Sequence, residues 1–101
     1  MIISPDLLTV GTTRALCRQW HDRHDISAAD GLARRHRRLV VEIAASYAAD
    51  GKPSSDLIAE GQVGLMRAIC RFDPDSGFGF ESCAALHVHA AILDHVLGRA
   101  R

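Results

Sequence analysis

Basic excess, long apolar runs, strand patterning and aromatic side chains are all scarce in this chain of 101 residues. Lys plus Arg and Asp plus Glu number 12 each, so the formal net charge is zero. Free-standing, non-specific nucleic-acid binders are normally basic, so bulk charge gives no reason to invoke one. No apolar stretch approaches the roughly 20 residues that span a bilayer. The first residues, MIISPDLLTVG, carry neither a basic segment nor an apolar run long enough for a secretory leader, and a cytoplasmic location is the expectation. Cys17, Cys70 and Cys83 are an odd set without CxxC spacing. They argue for buried or semi-buried free thiols in a reducing compartment, and against disulfides or a zinc site. Strict apolar–polar alternation and NG or DG hairpin signals are missing, which argues against a sheet.

What remains is 48% hydrophobic and 24% charged, an ordinary globular composition in a chain long enough for one modest core. Helical spacing dominates. Thr12 or Thr13 is placed to cap a first helix running to about Asp22, with Leu16 and Trp20 on one face. HDRHD is a polar break. Ser27 followed by Asp30 resembles a capping box. A second helix then spans about Ala28 to Ala49, with Leu32, Leu39, Val40, Ile43 and Tyr47 at helical spacing. DGKPSS ends it: Gly51 suits the position after a helix, and Pro53 cannot continue one. Ser54, Ser55 or Asp56 caps a third helix running to about Phe72. DPDSG is a turn. A last helix runs from about Phe80 to Leu97, with Gly98 as its stop. The expectation is an all-α fold, a compact bundle of about four helices over residues 1–101 sharing one core.

The third helix has two distinct sides. Leu57, Ile58, Gly61, Gly64, Leu65, Ala68, Ile69 and Phe72 fall on one broad stripe at 100° per residue. A glycine costs about 1 kcal/mol against Ala in a helix, so two in the apolar stripe point to close approach of another helix. Asp56, Glu60, Arg67 and Arg71 lie opposite, facing solvent. Ala59, Val63, Met66 and Cys70 lie beside those charges. Apolar residues among charges on an outward face fit a partner site, although single exposed apolar residues are common.

The run LVVEIAASYAADGKPSSDLIAEGQVGLMRAICRFDPDSGFGF closely resembles region 2 of bacterial RNA polymerase sigma factors of the housekeeping and heat-shock type. The matching words are RLVV, DLI-EG--GLM-A and RFDP--GF-F. The resemblance covers roughly residues 27–98, and AAILDHVLGR looks most like the heat-shock subgroup. Residues 12–26, a helix and its break, are placed like that family's region 1.2. The resemblance implies that the third helix docks on the clamp helices of the polymerase β′ subunit. The family's contact positions map onto Asp56, Glu60, Gln62 and Met66, with Val63 beside them. Acidic groups there would meet basic clamp residues, and Met66 would be an adaptable apolar contact. Ala59 replaces the family's usual Gln, and Gln62 its usual Asn.

In the same family, the last helix captures and melts the −10 promoter element with aromatic, polar and basic side chains. Here it reads FESCAALHVHAAILDHVL. Cys83 stands at the usual Tyr, Leu86 and His87 at the Trp pair, and His89 and Ala90 at the Arg–Gln pair. No Lys or Arg lies between Phe80 and Leu97. Stacking contributes about 1 to 3 kcal/mol per base, and phosphate contacts dominate DNA affinity, so these departures remove the main tools. Phe78 and Phe80 remain as candidate stacking groups or as core. No residues match the regions that contact the −35 element.

Other clusters carry less. His87 and His89, two apart on a helix, cannot both face one ion, and with His95 they do not read as a metal site. His89 lies near a stripe of Ala85, Leu93 and Val96 and reads as a hydrogen-bonded, partly buried histidine. His21 and His24 read as solvated. Arg34, Arg35, Arg37 and Arg38 form either a solvated face or a contact for nucleic acid or an acidic surface. No catalytic set and no cofactor motif is present. The expected activity is transcription regulation: docking on core RNA polymerase without promoter melting, as co-activator or antiterminator with a DNA-binding partner. Short sigma-like activators of alphaproteobacterial gene transfer agent clusters resemble such a protein. A minimal initiating sigma factor and a decoy for an anti-sigma factor are the alternatives.

Overall fold

A computed structural model describes residues 9–99. Among them it contains five helices and no strand: α1 (Thr9–Arg23), α2 (Ile26–Arg35), α3 (Arg37–Ser46), α4 (Ser55–Arg71) and α5 (Phe80–Arg99). The all-α fold is as expected, but the single helix expected over residues 28–49 is two. The break has a local cause at His36, whose backbone sits at φ −109° and ψ 14°. Its imidazole is buried, with Nδ1 2.8 Å from the carbonyl of Leu32 and the ring edge-on to Phe80 at 4.9 Å. A side chain that bonds the carbonyl one turn back bends a helix. The bend keeps its ladder: the amide of Val40 still reaches the carbonyl of His36 at 3.2 Å.

Helix ends also differ from expectation. α1 begins at Thr9, ahead of Thr12 and Thr13. α2 is capped by Asp25, not Ser27, because the Asp25 carboxylate accepts both the Ser27 amide at 3.0 Å and its hydroxyl at 2.8 Å. Those bonds hold the Asp25 carboxyl below its usual range, the hydroxyl contributing most. α5 continues through Gly98 to Arg99, so Gly98 is no stop. Ser54 caps α4 as expected, accepting the Leu57 amide at 3.2 Å. Gly51 does not directly follow a helix: α3 ends at Ser46 with Tyr47 as its cap, short of the expected Ala49, and Gly51 takes its left-handed φ of +73° in the turn beyond, where its amide reaches the Ala48 carbonyl at 3.0 Å.

Leu32, Val40, Ile43, Ala44, Leu65, Ala68, Ile69, Phe80, Ala84, Val88 and Ile92 form the core, with Cys17 closing it from α1 and Leu16 and Trp20 packed against it. The glycines of α4 set its tightest joint. A methyl group on Gly64 would meet the α5 backbone, 2.8 Å from the Cα of Val88. One on Gly61 would lie 2.7 Å from Val40 Cγ1 and 3.1 Å from Ile92 Cδ1. Both contacts are shorter than van der Waals separation, so glycine here sets how close α4 lies to α3 and α5. No helix among the described residues is long and apolar enough to cross a membrane.

Candidate functional site

With one stripe of α4 sunk against α3 and α5, the other is fixed outward. Asp56, Gln62, Val63 and Met66 are all exposed, Val63 by 43% and Met66 by 46%. Gln62 and Met66 also line a groove of about 200 Å³ with Leu65 and with Asp30, Ala33, Arg34 and Arg37 of α2 and α3. Arg34 pairs with Asp30 across one turn at 3.3 Å. The face is therefore wider than one helix. It presents an apolar centre at Val63 and Met66, an acid at Asp56 and guanidinium groups along one edge.

Glu60 departs from expectation. It is half-buried at the α4–α5 seam, where its Oε1 lies 3.9 Å from Nδ1 of His95. Its position on the helix turns it toward α5, because the close approach at Gly64 brings that helix alongside. Cys70 is exposed, unlike the expected buried or semi-buried thiol, whereas Cys17 is buried and Cys83 half-buried.

The arginine run does not act as one patch, because helical spacing puts Arg34 and Arg37 on one face and Arg35 and Arg38 on the next. Arg34 and Arg37 border the groove beside Met66. Arg35 and Arg38 instead line a larger cavity of about 640 Å³, between α1, the α2–α3 bend and residues 72–81. Arg14, Cys17, Glu42 and Glu81 line it too. Arg38 is partly neutralised by Glu42 at 3.4 Å. Phe78 stands 76% exposed at this cavity, while Phe80 is 5% exposed and packed edge-on against Phe72 at 5.3 Å. Of the two candidate stacking groups, Phe80 belongs to the core and only Phe78 is open. Arg14 was missed by sequence reasoning, since α1 meets this cavity only through tertiary packing.

Arg18 anchors α1 to the turn at residues 73–77, its Nη2 lying 2.6 Å from the Asp75 carboxylate. That bond holds the Asp75 carboxyl below its usual range. Inside the cavity, burial first and the neighbouring Cys83 second push the Cys17 thiol up to about 11, so it stays protonated at neutral pH.

α5 shows what stands at the positions where aromatic and basic groups are missing. Leu86 is 69% exposed. His87 has its Nδ1 2.9 Å from the carbonyl of Cys83, so the ring is tied to its own helix. His89 is hydrogen-bonded as expected, its Nδ1 3.0 Å from the Tyr47 hydroxyl, but it is exposed. The core stripe of α5 is Ala84, Val88, Ala91 and Ile92; Leu93, expected on the apolar stripe, is 44% exposed. Among the described residues no three metal-binding side chains come together.

Comparison with known proteins agrees with this geometry. The sigma-70 region 2 family model matches residues 32–101. The RNA polymerase sigma factor RpoH of Caulobacter vibrioides (strain NA1000 / CB15N) is 37% identical over 82 residues, 81% of this chain and 28% of that protein. RpoH of Zymomonas mobilis is 38% identical over 82 residues, 81% of this chain and 27% of its own length. RpoH of Rhizobium radiobacter is 37% identical over 82 residues, with the same shares. The chain thus spans little more than a quarter of the curated relatives it matches. The extent of the family match and the helical bundle it falls on together establish that this chain belongs to the sigma-70 region 2 family.

Proposed function

We propose that this chain is a transcription regulator that docks on core RNA polymerase through the outward face of α4, at the β′ clamp helices. It leaves −10 melting to others and acts as a co-activator or antiterminator together with a DNA-binding protein. The observation that carries this reading is the contrast between α4 and α5. Asp56, Gln62, Val63 and Met66 are held outward on a rigid helix, whereas α5 has no Lys or Arg from Phe80 to Leu97. A helix that recognises DNA needs cations for phosphate and flat rings for unstacked bases. A helix that recognises a protein needs a preorganised apolar centre with a polar rim, which α4 supplies. Glu60 serves this reading from the edge of the face. The combination of a region 2 bundle and a disarmed DNA helix also suits an activator of gene transfer agent clusters.

A second reading is a minimal sigma factor that opens promoters itself. Exposed Phe78 at a cavity bordered by Arg14, Arg35 and Arg38 favours it, because one ring and nearby cations can hold one unstacked base. The deciding experiment is capture of core polymerase, and separately of a β′ clamp-helix fragment, by wild type and by the triple variant Asp56→Ala, Gln62→Ala, Met66→Ala. Each change removes a contact from an exposed position, so the fold should persist. Wild type should bind both, and the variant should bind about tenfold or more weakly, the usual loss on truncating a few central anchors. Absence of polymerase binding by wild type would sink the docking reading, and binding to an anti-sigma factor alone would favour the decoy. Promoter opening with core polymerase alone would establish the second reading.

A further inference from the structure

α5 carries an apolar face that the fold leaves uncovered. At 100° per residue its buried Ala84, Val88, Ala91 and Ile92 occupy one side. Leu86, Ala90, Leu93 and Leu97 occupy the opposite side. All four are exposed: Leu86 by 69%, Leu93 by 44% and Leu97 by 52%. Their spacing of four, three and four residues is that of a coiled-coil seam. Isolated exposed leucines are ordinary, but three in heptad register on one helix form a continuous stripe. Because the stripe points directly away from the core, the rest of the bundle does not obstruct it. The absence of Lys and Arg from Phe80 to Leu97 makes a phosphate backbone a poor occupant.

The stripe is complementary to itself. Laid antiparallel against a second copy, Leu86 meets Leu97 of that copy, and Ala90 meets its Leu93. The one small residue of the seam then always faces a large one. A parallel pairing would set Ala90 against Ala90 and leave a gap, which costs packing energy. The flanks agree. His87 and Asp94 lie on the same edge of the seam, seven residues apart, as positions that flank a heptad core do. Antiparallel pairing sets His87 of each copy beside Asp94 of the other. His87 Nδ1 is held at the Cys83 carbonyl, 2.9 Å away, which leaves Nε2 for that carboxylate.

We propose that two copies of this chain associate as an antiparallel homodimer through the Leu86–Ala90–Leu93–Leu97 stripe of α5. Four layers of side chains bury less than the roughly 1,200 Å² at the low end of stable interfaces, so the dimer is weak and concentration-dependent.

Sedimentation equilibrium of the full chain, from micromolar to millimolar concentration, tests this. A monomer–dimer equilibrium is expected. Leu93→Asp should weaken it by about tenfold or more, as removal of a central apolar anchor does. Because Leu93 is half-exposed, the helical circular dichroism and melting temperature of that variant should stay close to wild type. Orientation is read by disulfide formation in chains whose Cys70 and Cys83 are replaced by Ser. A mixture of Leu86→Cys and Leu97→Cys chains should cross-link to each other in preference to themselves. A monomer at every concentration, association unchanged by Leu93→Asp, or preferential self-cross-linking of Leu86→Cys would each overturn the proposal. So would a chain that stays monomeric yet uses the stripe to bind single-stranded DNA or another helical protein.

Discussion

Replacing Gly64 by Ala tests the close packing of α4 most directly. In isolation the change favours the helix by about 1 kcal/mol, because Ala is the better helix former. The tertiary structure opposes it. The added methyl group would overlap the carbonyl oxygen of His87 and lie 2.8 Å from Val88 Cα. Those atoms are α5 backbone and cannot turn aside as a flexible side chain could. Relief requires α4 and α5 to move apart along their seam, loosening Leu65, Ala68, Val88 and Ile92 together. Overpacking of this kind costs about 1 to 3 kcal/mol and sometimes more, and rigid backbone places Gly64 at the upper end. The expected net destabilisation is about 2 kcal/mol. For a domain near this size, 1 kcal/mol moves the melting temperature by about 4 to 8 °C, so a fall of about 10 °C is expected. Gly98 provides the control. It lies in the last turn of α5, and a methyl group there meets nothing within 4 Å, so Gly98→Ala should not destabilise. Thermal melts followed by circular dichroism measure both. If Gly64→Ala is as stable as wild type or more so, the close-packing argument is wrong.

Two further outcomes follow from local chemistry. Asp25→Ala removes the cap of α2 and should lower stability, readable as a lower midpoint in urea unfolding. The Asp25 carboxyl is held below its unfolded value, so its contribution is full above that value and is lost as pH falls through the depressed folded one. The wild-type advantage over Asp25→Ala should therefore persist at neutral pH and shrink in acid below about pH 4. Thiol reactivity should separate the cysteines. Exposed Cys70 should alkylate first at pH 8, and buried Cys17, with its thiol pushed up to about 11, last; mass spectrometry of time points gives the order. Rapid labelling of Cys17 in the folded protein would contradict its burial.

The helices were legible because their signals are short-range. Apolar spacing along α4, Ser54 before it and Gly51 and Pro53 in the preceding turn are all read within a few residues. Part of the candidate docking face was legible for the same reason: Asp56, Val63 and Met66 lie away from the glycine stripe on one helical wheel, whereas Gln62, beside the stripe, came only from the family resemblance. The bend at His36 was not legible, since it depends on a ring caught between Leu32 O and Phe80, a residue 44 positions away in sequence. Asp25 was overlooked because Asp and Ser are both good caps and stand two apart; only backbone dihedrals choose between them.

By itself, then, the sequence determined that this protein is helical, which stripe of α4 is buried, and that no Lys or Arg stands between Phe80 and Leu97. Those are properties of residue types and of a helix about its own axis. Tertiary structure alone decided which neighbour each face meets. It placed Glu60 beside His95 and Phe80 in the core. It set Arg34 and Arg37 at the groove beside Met66 and Arg35 and Arg38 at the larger cavity, and turned Leu86, Leu93 and Leu97 outward. Periodicity fixes angles within a helix, but the separation and crossing of helices are set by contacts between residues distant in the chain, above all where Gly64 lets α4 meet α5.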